Sequence, residues 1–248
     1  MEHFEKAPIT EAVIDIRVEP SPGLRLPDLE KLHPLISSAY PQKRAHRAWE
    51  GILGTREDSV SMASKDHGVA WYSFWSADQR QVVAFRQDGF SFSRLRPYTR
   101  WEEFEPEAKR LWDIYARETK PLFVTRLALR YINVIDIPSQ SFDMNEYFTQ
   151  PPQAPKGAPR SVMENFLSRI RLRLPESDAS ATVTHALAPK TDKSVNITPI
   201  LLDIDIFREV RSDRVYDASH WTGIASLRDI KNAIFESSLT ERAKELIR

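Results

Sequence analysis

Four stretches of this chain alternate apolar residues with charges: 11–18 (EAVIDIRV), 126–136 (RLALRYINVID), 169–174 (RIRLRL) and 202–207 (LDIDIF). Successive side chains of a strand point to opposite faces, so each stretch gives a strand with an aliphatic side and a charged side. Such strands are stable only when their aliphatic sides share a core, which demands a sheet with one covered face. By parity, Glu11, Asp15 and Arg17 share one side of the first strand, and Arg126 and Arg130 one side of the second. Arg169, Arg171 and Arg173 line the third, and Asp203 and Asp205 the fourth.

Between these stretches the pattern changes. Residues 27–39 place Leu29, Leu32, Leu35 and Ile36 on one helical stripe, with Pro27 suited to a first turn. Residues 46–95 read as an antiparallel meander, with turn signals at 57–58, 65–68, 76–79 and 87–89. Its aromatic set Trp71, Phe74, Trp75, Phe85, Phe90 and Phe92 is expected in the core. A capping box at Thr99–Glu102 opens a helix that runs to about residue 119 and is stopped by Pro121. A long strand at 123–137, a short helix at 144–148, and strands at 166–174, 181–187 and 195–207 follow. Further capping boxes at Ser226–Asp229 and Ser238–Glu241 point to a last helix from 226 with a break near 237–238. His220-Trp221 falls in the loop before it, as a packing anchor.

The expected class is therefore α+β: a large antiparallel sheet with two long helices on one face. PITEAVIDIR (8–17) aligns with PLFVTRLALR (121–130), each with Pro nine residues before an Arg. One reading is an internal duplication of a strand–helix–meander–helix unit. It gives one compact unit made of a first half over 1–120 and a second over 121–248, with a linker-like loop at 138–160 that holds Pro151, Pro152, Pro155 and Pro159. Chance similarity of two short apolar strands is the alternative.

Composition narrows the function. Lys plus Arg and Asp plus Glu both number 35, and this balance argues against broad nucleic-acid binding. The short basic run of Lys43, Arg44, His46 and Arg47, near Trp49 and Trp71, reads as a solvated loop before a phosphate-and-stacking site. The absence of cysteine removes disulfides, thiolate metal sites and cysteine nucleophiles, and fits a cytoplasmic setting. The opening residues carry acids rather than an apolar run, so no signal peptide is expected, and no stretch is apolar enough for a membrane span. No glycine-rich phosphate loop, paired zinc histidines or nucleophile-elbow motif occurs.

Three pieces, APITEAVIDIR at 7–17, FSRLRPY at 92–98 followed by Trp101, and RYIN at 130–133, together resemble a sporadically distributed, functionally uncharacterised prokaryotic protein family of about this length. The resemblance spans nearly the whole chain. It implies an accessory or mobile-gene setting, such as a defence module, and carries no catalytic residue or cofactor.

Two readings of the charged strand sides stand. One is a solvated face with cross-strand Arg–Asp pairs. The other is a groove in which Asp15, Arg17, Arg126, Arg130, Arg169, Arg171 and Arg173 hold an anion, the guanidinium forks matching carboxylate or phosphate. The expected function is a non-enzymatic binding or interaction protein for a protein partner or small anionic ligand. The alternative is a metal-dependent phosphohydrolase or phosphoryl-transfer enzyme in which Asp203 and Asp205 hold Mg²⁺ or Mn²⁺. Triphosphate tunnel enzymes line a β-tunnel in this chemical style, but their paired-glutamate opening is absent here, where IDIR stands at 14–17. No residue is assigned a catalytic role.

Overall fold

The computed structural model describes residue 4 and residues 6–56, 59–153, 165–190 and 196–248. Its centre is a nine-stranded antiparallel sheet. The strands are β1 (Ile9–Glu19), β2 (Gln42–Arg56), β3 (Ser59–Trp75), β4 (Gln81–Arg86), β5 (Gly89–Leu95), β6 (Phe123–Ile137), β7 (Leu167–Leu174), β8 (Ala179–Leu187) and β9 (Thr198–Ser212). They lie in the order β2-β3-β4-β5-β1-β6-β9-β8-β7. The two strands with matching openings, β1 and β6, are thus neighbours at the middle. The α+β class with a large antiparallel sheet is what the alternation and the meander signals require.

Parity is obeyed across the central strands. Ala12, Ile14, Ile16 and Val18 of β1 are buried, as are Leu127, Leu129 and Tyr131 of β6 and Leu202, Ile204 and Ile206 of β9. The register aligns Ile14 with Leu129 and Leu129 with Ile206, so these side chains form continuous apolar rows. Phe90 and Phe92 of β5 extend those rows, lying opposite Ile16 and Ile14. The helix α3 (Trp101–Thr119) meets them: the Phe104 ring lies 5.3 Å from Phe92 and the Trp112 ring 5.9 Å from Phe90. The helix α4 (Ser219–Ser238) runs against β6 and β9.

Several local expectations give way. The single helix over 27–39 is two short ones, α1 (Leu26–Glu30) and α2 (His33–Ile36), because Pro34 lacks the N–H that would continue the first and starts the second. Leu29, Leu32 and Ile36 stay buried, whereas Leu35 is turned outward. Helix α3 begins one residue late for the Thr99–Glu102 box: Arg100 is its N-cap, and the Thr99 hydroxyl donates to Glu103 at 2.7 Å. Helix α4 starts well before Ser226, so Ser226 is internal and donates to the Gly223 carbonyl, and His220-Trp221 is buried in the first turn. The break at its end is real, but Thr240, not Ser238, caps α5 (Glu241–Glu245) by accepting from the Ala243 N–H. Strand β3 runs through Lys65–Gly68, where the turn signal produces register shifts instead of a reversal. The expected turn at Glu57-Asp58, the Trp49 side chain, and Pro155 and Pro159 lie outside the described residues. Trp71 and Trp75 are only partly buried; Phe74, Phe85, Phe90 and Phe92 are the core members of the aromatic set.

Gly89 turns β4 into β5 with its backbone pressed on β1. A Cβ there would lie 2.6 Å from the Ile16 carbonyl oxygen. Since a strand backbone in mid-sheet cannot yield, Gly89→Ala is expected to lower unfolding free energy by about 2 kcal/mol, read from the denaturant midpoint.

Candidate functional site

The side of the sheet opposite the apolar rows carries the charged residues, and the register says which meet. One row reads Arg171, Thr182, Asp205, Arg130, Val13 across β7, β8, β9, β6 and β1. The next reads Arg173, Ser180, Phe207, Ala128, Asp15, and the one on the other side Arg169, Thr184, Asp203, Ile132, Glu11. The long arginines of β7 thus lie beside the short Thr184, Thr182 and Ser180 side chains of β8. Ser180 and Thr182 are buried although they point to the polar side.

At the β1 end the network centres on Asp15. Its carboxylate accepts from Arg17 Nε at 3.1 Å, from Arg126 at 3.1 Å and from Arg86. Asp88 binds Arg17 from the other side. Arg126 links the two halves of the face, since its second arm donates to Asp205 at 3.2 Å. Its guanidinium also lies 4.5 Å from the Phe207 ring centroid. Arg130 passes by Asp205, its register partner, and grips Asp203 with two parallel bonds of 2.8 and 2.6 Å. These bonds raise the Arg130 pKa, while burial pushes the Asp205 carboxyl up. The structure therefore brings Asp15, Arg17, Arg126, Arg130, Asp203 and Asp205 together, as a mutually paired lattice.

That pairing bears on the two chemistries weighed from the sequence. A divalent cation needs several open carboxylate oxygens. Both oxygens of Asp203 are taken by Arg130 and Asp205 is engaged by Arg126, so a metal between them would first have to displace both forks. Among the described residues no group of three or more His, Cys, Asp or Glu is placed to hold a metal ion.

The remaining candidates sit apart. Arg169, Arg171 and Arg173 are carried by β7, the last strand of the sheet. Arg173 pairs with Asp178 at the adjoining turn. The Arg171 guanidinium lies 5.0 Å from the centroid of the same Phe207 ring. Neither Arg169 nor Arg171 makes an ion pair among the described residues. On its reverse side β7 exposes Ile170 and Leu172 (45% and 38%), and at its start Leu167 (74%). Also among the described residues, no strand pairs with its outer edge.

Two further features lie outside this lattice, and only the second escaped the sequence reading. On the polar side at the opposite end, His46 stacks on Trp71 at 3.6 Å and Arg44 on Trp75 at 4.1 Å, both in the strands β2 and β3 rather than a loop. The second is a cleft of about 890 Å³ between α3, α4 and the ends of β1 and β6, walled by Tyr98, Trp101, Tyr131, Asn133, Arg228 and Lys231 among others. Lys231 lies in it, buried to 7% exposure, its Nζ 4.1 Å from the Tyr131 ring centroid. The signal was present: Trp221, Ile224, Leu227, Lys231 and Phe235 follow helical spacing, so a lysine occupies a core position of α4.

No family model matches the chain, and no curated protein is significantly similar to it. No helix among the described residues is long and apolar enough to cross a membrane.

Proposed function

We propose that this chain is a non-enzymatic interaction protein that captures an extended, acidic segment of a protein partner along β7. The carrying observation is the composition of an end strand. Two of its arginines on the polar side have no carboxylate partner among the described residues, while its reverse side exposes Ile170 and Leu172. A strand added to a sheet edge receives backbone hydrogen bonds irrespective of sequence, and its side chains fall alternately on the two faces. Acids at alternate positions would meet Arg169 and Arg171, and apolar residues between them would cover Ile170 and Leu172. A second copy of β7 fits worse, because antiparallel pairing would set arginine against arginine. The paired lattice from Asp15 to Asp203 then acts as the rigid plate behind the binding strand.

In this reading the chain is duplicated. The halves 1–120 and 121–248 each contribute an opening strand to the sheet centre and a long helix to the apolar face, and β7 closes the second half. Membership of the sporadic prokaryotic family fits an accessory interaction role.

The test uses a labelled ten-residue peptide alternating glutamate and valine, followed by fluorescence anisotropy. Arg169→Glu with Arg171→Glu is expected to weaken binding at least tenfold, and Arg44→Glu at the far end to leave it unchanged. A serine–lysine alternating peptide is expected not to bind. Equal binding by the double variant would overturn the proposal.

A further inference from the structure

The geometry points to a second, separate site: the cleft around Lys231 is a pocket for a small aromatic acid, its anionic group held at Lys231 and its ring against Tyr98 and Tyr131. Lys231 Nζ makes no hydrogen bond or ion pair among the described residues and lies over the Tyr131 ring, 4.1 Å from its centroid. An ammonium group withdrawn from water with no bonded carboxylate is costly, and Glu236, the acid that acts on it, only partly offsets burial, so a fold that keeps it on the wall of an open cleft has a place for an anion. Burial is what lowers its pKa, to about 7. A second cation stands by: Arg228, one helical turn before Lys231, reaches only to 4.0 Å from Glu102 and lies over the Trp101 ring at 5.3 Å.

The walls fit a flat body. Tyr98 and Tyr131 meet edge-to-face at 5.5 Å with their hydroxyls 2.9 Å apart, so one hydroxyl donates to the other and one hydrogen stays available to a ligand. Asn133, buried beside Tyr131, spends its amide N–H groups on the Leu202 and Tyr131 carbonyls, which fixes the side chain in place. The cleft volume of about 890 Å³ lies within the range of small-molecule sites, and its lining joins the aromatic wall to charged groups that include Glu102, Asp136 and Glu236 as well as the cations. Carboxylate and phosphate monoester share the chemistry that Lys231 and Arg228 would recognise.

Two probes separate these sources: benzoate and phenyl phosphate, titrated by calorimetry into the full chain, with inorganic phosphate as the ring-free comparison. One aromatic acid is expected to bind at least tenfold more tightly than inorganic phosphate. Lys231→Met is expected to weaken it at least tenfold, and Tyr98→Phe, which keeps the ring, a few-fold. The methionine variant removes a buried charge and should fold, so its loss of binding reports on the site. The Arg169→Glu, Arg171→Glu variant should bind these acids normally, which keeps this result independent of the β7 proposal. No binding of either aromatic acid at millimolar concentration, or a change below twofold in Lys231→Met, overturns the inference.

Discussion

Replacing Lys231 with methionine is expected to stabilise the protein at pH 7 by about 4 kcal/mol. The lysine occupies an apolar position of α4, and burial lowers its pKa to about 7. An unfolded lysine titrates near 10.4, and each unit of difference is worth about 1.4 kcal/mol. Because the folded value is depressed, the unfolded chain binds the extra proton between about pH 7 and pH 10. The penalty is therefore present in full below pH 7 and fades as pH rises towards 10. The surrounding charges modulate this without reversing it: Arg228 pushes the same way as burial and Glu236 opposes both. Tyr131 and Tyr98, facing Lys231 from the sheet and from the segment before α3, are themselves held protonated by burial. Denaturant titrations at several pH values should show wild-type stability climbing from pH 7 to 10, and a flatter profile for Lys231→Met. Equal slopes would mean that the ammonium reaches water in solution.

Asp15→Ala is expected to cost about 3 kcal/mol. The carboxylate is only 16% exposed and receives Arg17, Arg86 and Arg126 together. Its removal leaves three guanidiniums converging with Asp88 and Asp205 as the remaining acids near them. Removing one partner of a half-buried ionic cluster is expensive because the others stay desolvated, and the loss exceeds what any exposed pair contributes. Added salt should recover part of it by screening the repulsion. A second change, Arg126→Met, should then be less harmful in the Asp15→Ala background than in wild type. The double-mutant cycle measures that coupling, expected at about 1–2 kcal/mol.

The sheet was legible in the sequence wherever alternation was strict. Ile14, Leu129 and Ile204 had to face one way and Asp15, Arg130 and Asp203 the other, because parity is a local property of a strand. Partners were not legible in the same way. Arg130 lies directly across from Asp205 yet bonds Asp203, a choice made by side-chain reach after the register is set. Helix ends were misread where competing caps lie close together, as at Thr99 and Arg100, since packing of Trp101 and Phe104 selects among near-equal starts. That β7 is a sheet edge depends on pairings between distant segments, which no window of residues reveals. Lys231 was visible as a break in an apolar stripe, but only the placement of Tyr131 beneath it turns that break into a pocket wall.

Amide hydrogen exchange along β7, with and without the glutamate–valine peptide, tests the interaction account most directly. Strand addition would hydrogen-bond the outward amides of Leu167–Leu174, so alternate amides there should gain protection while β2 at the far edge stays unchanged. Peptide binding with unaltered exchange throughout β7 would contradict it.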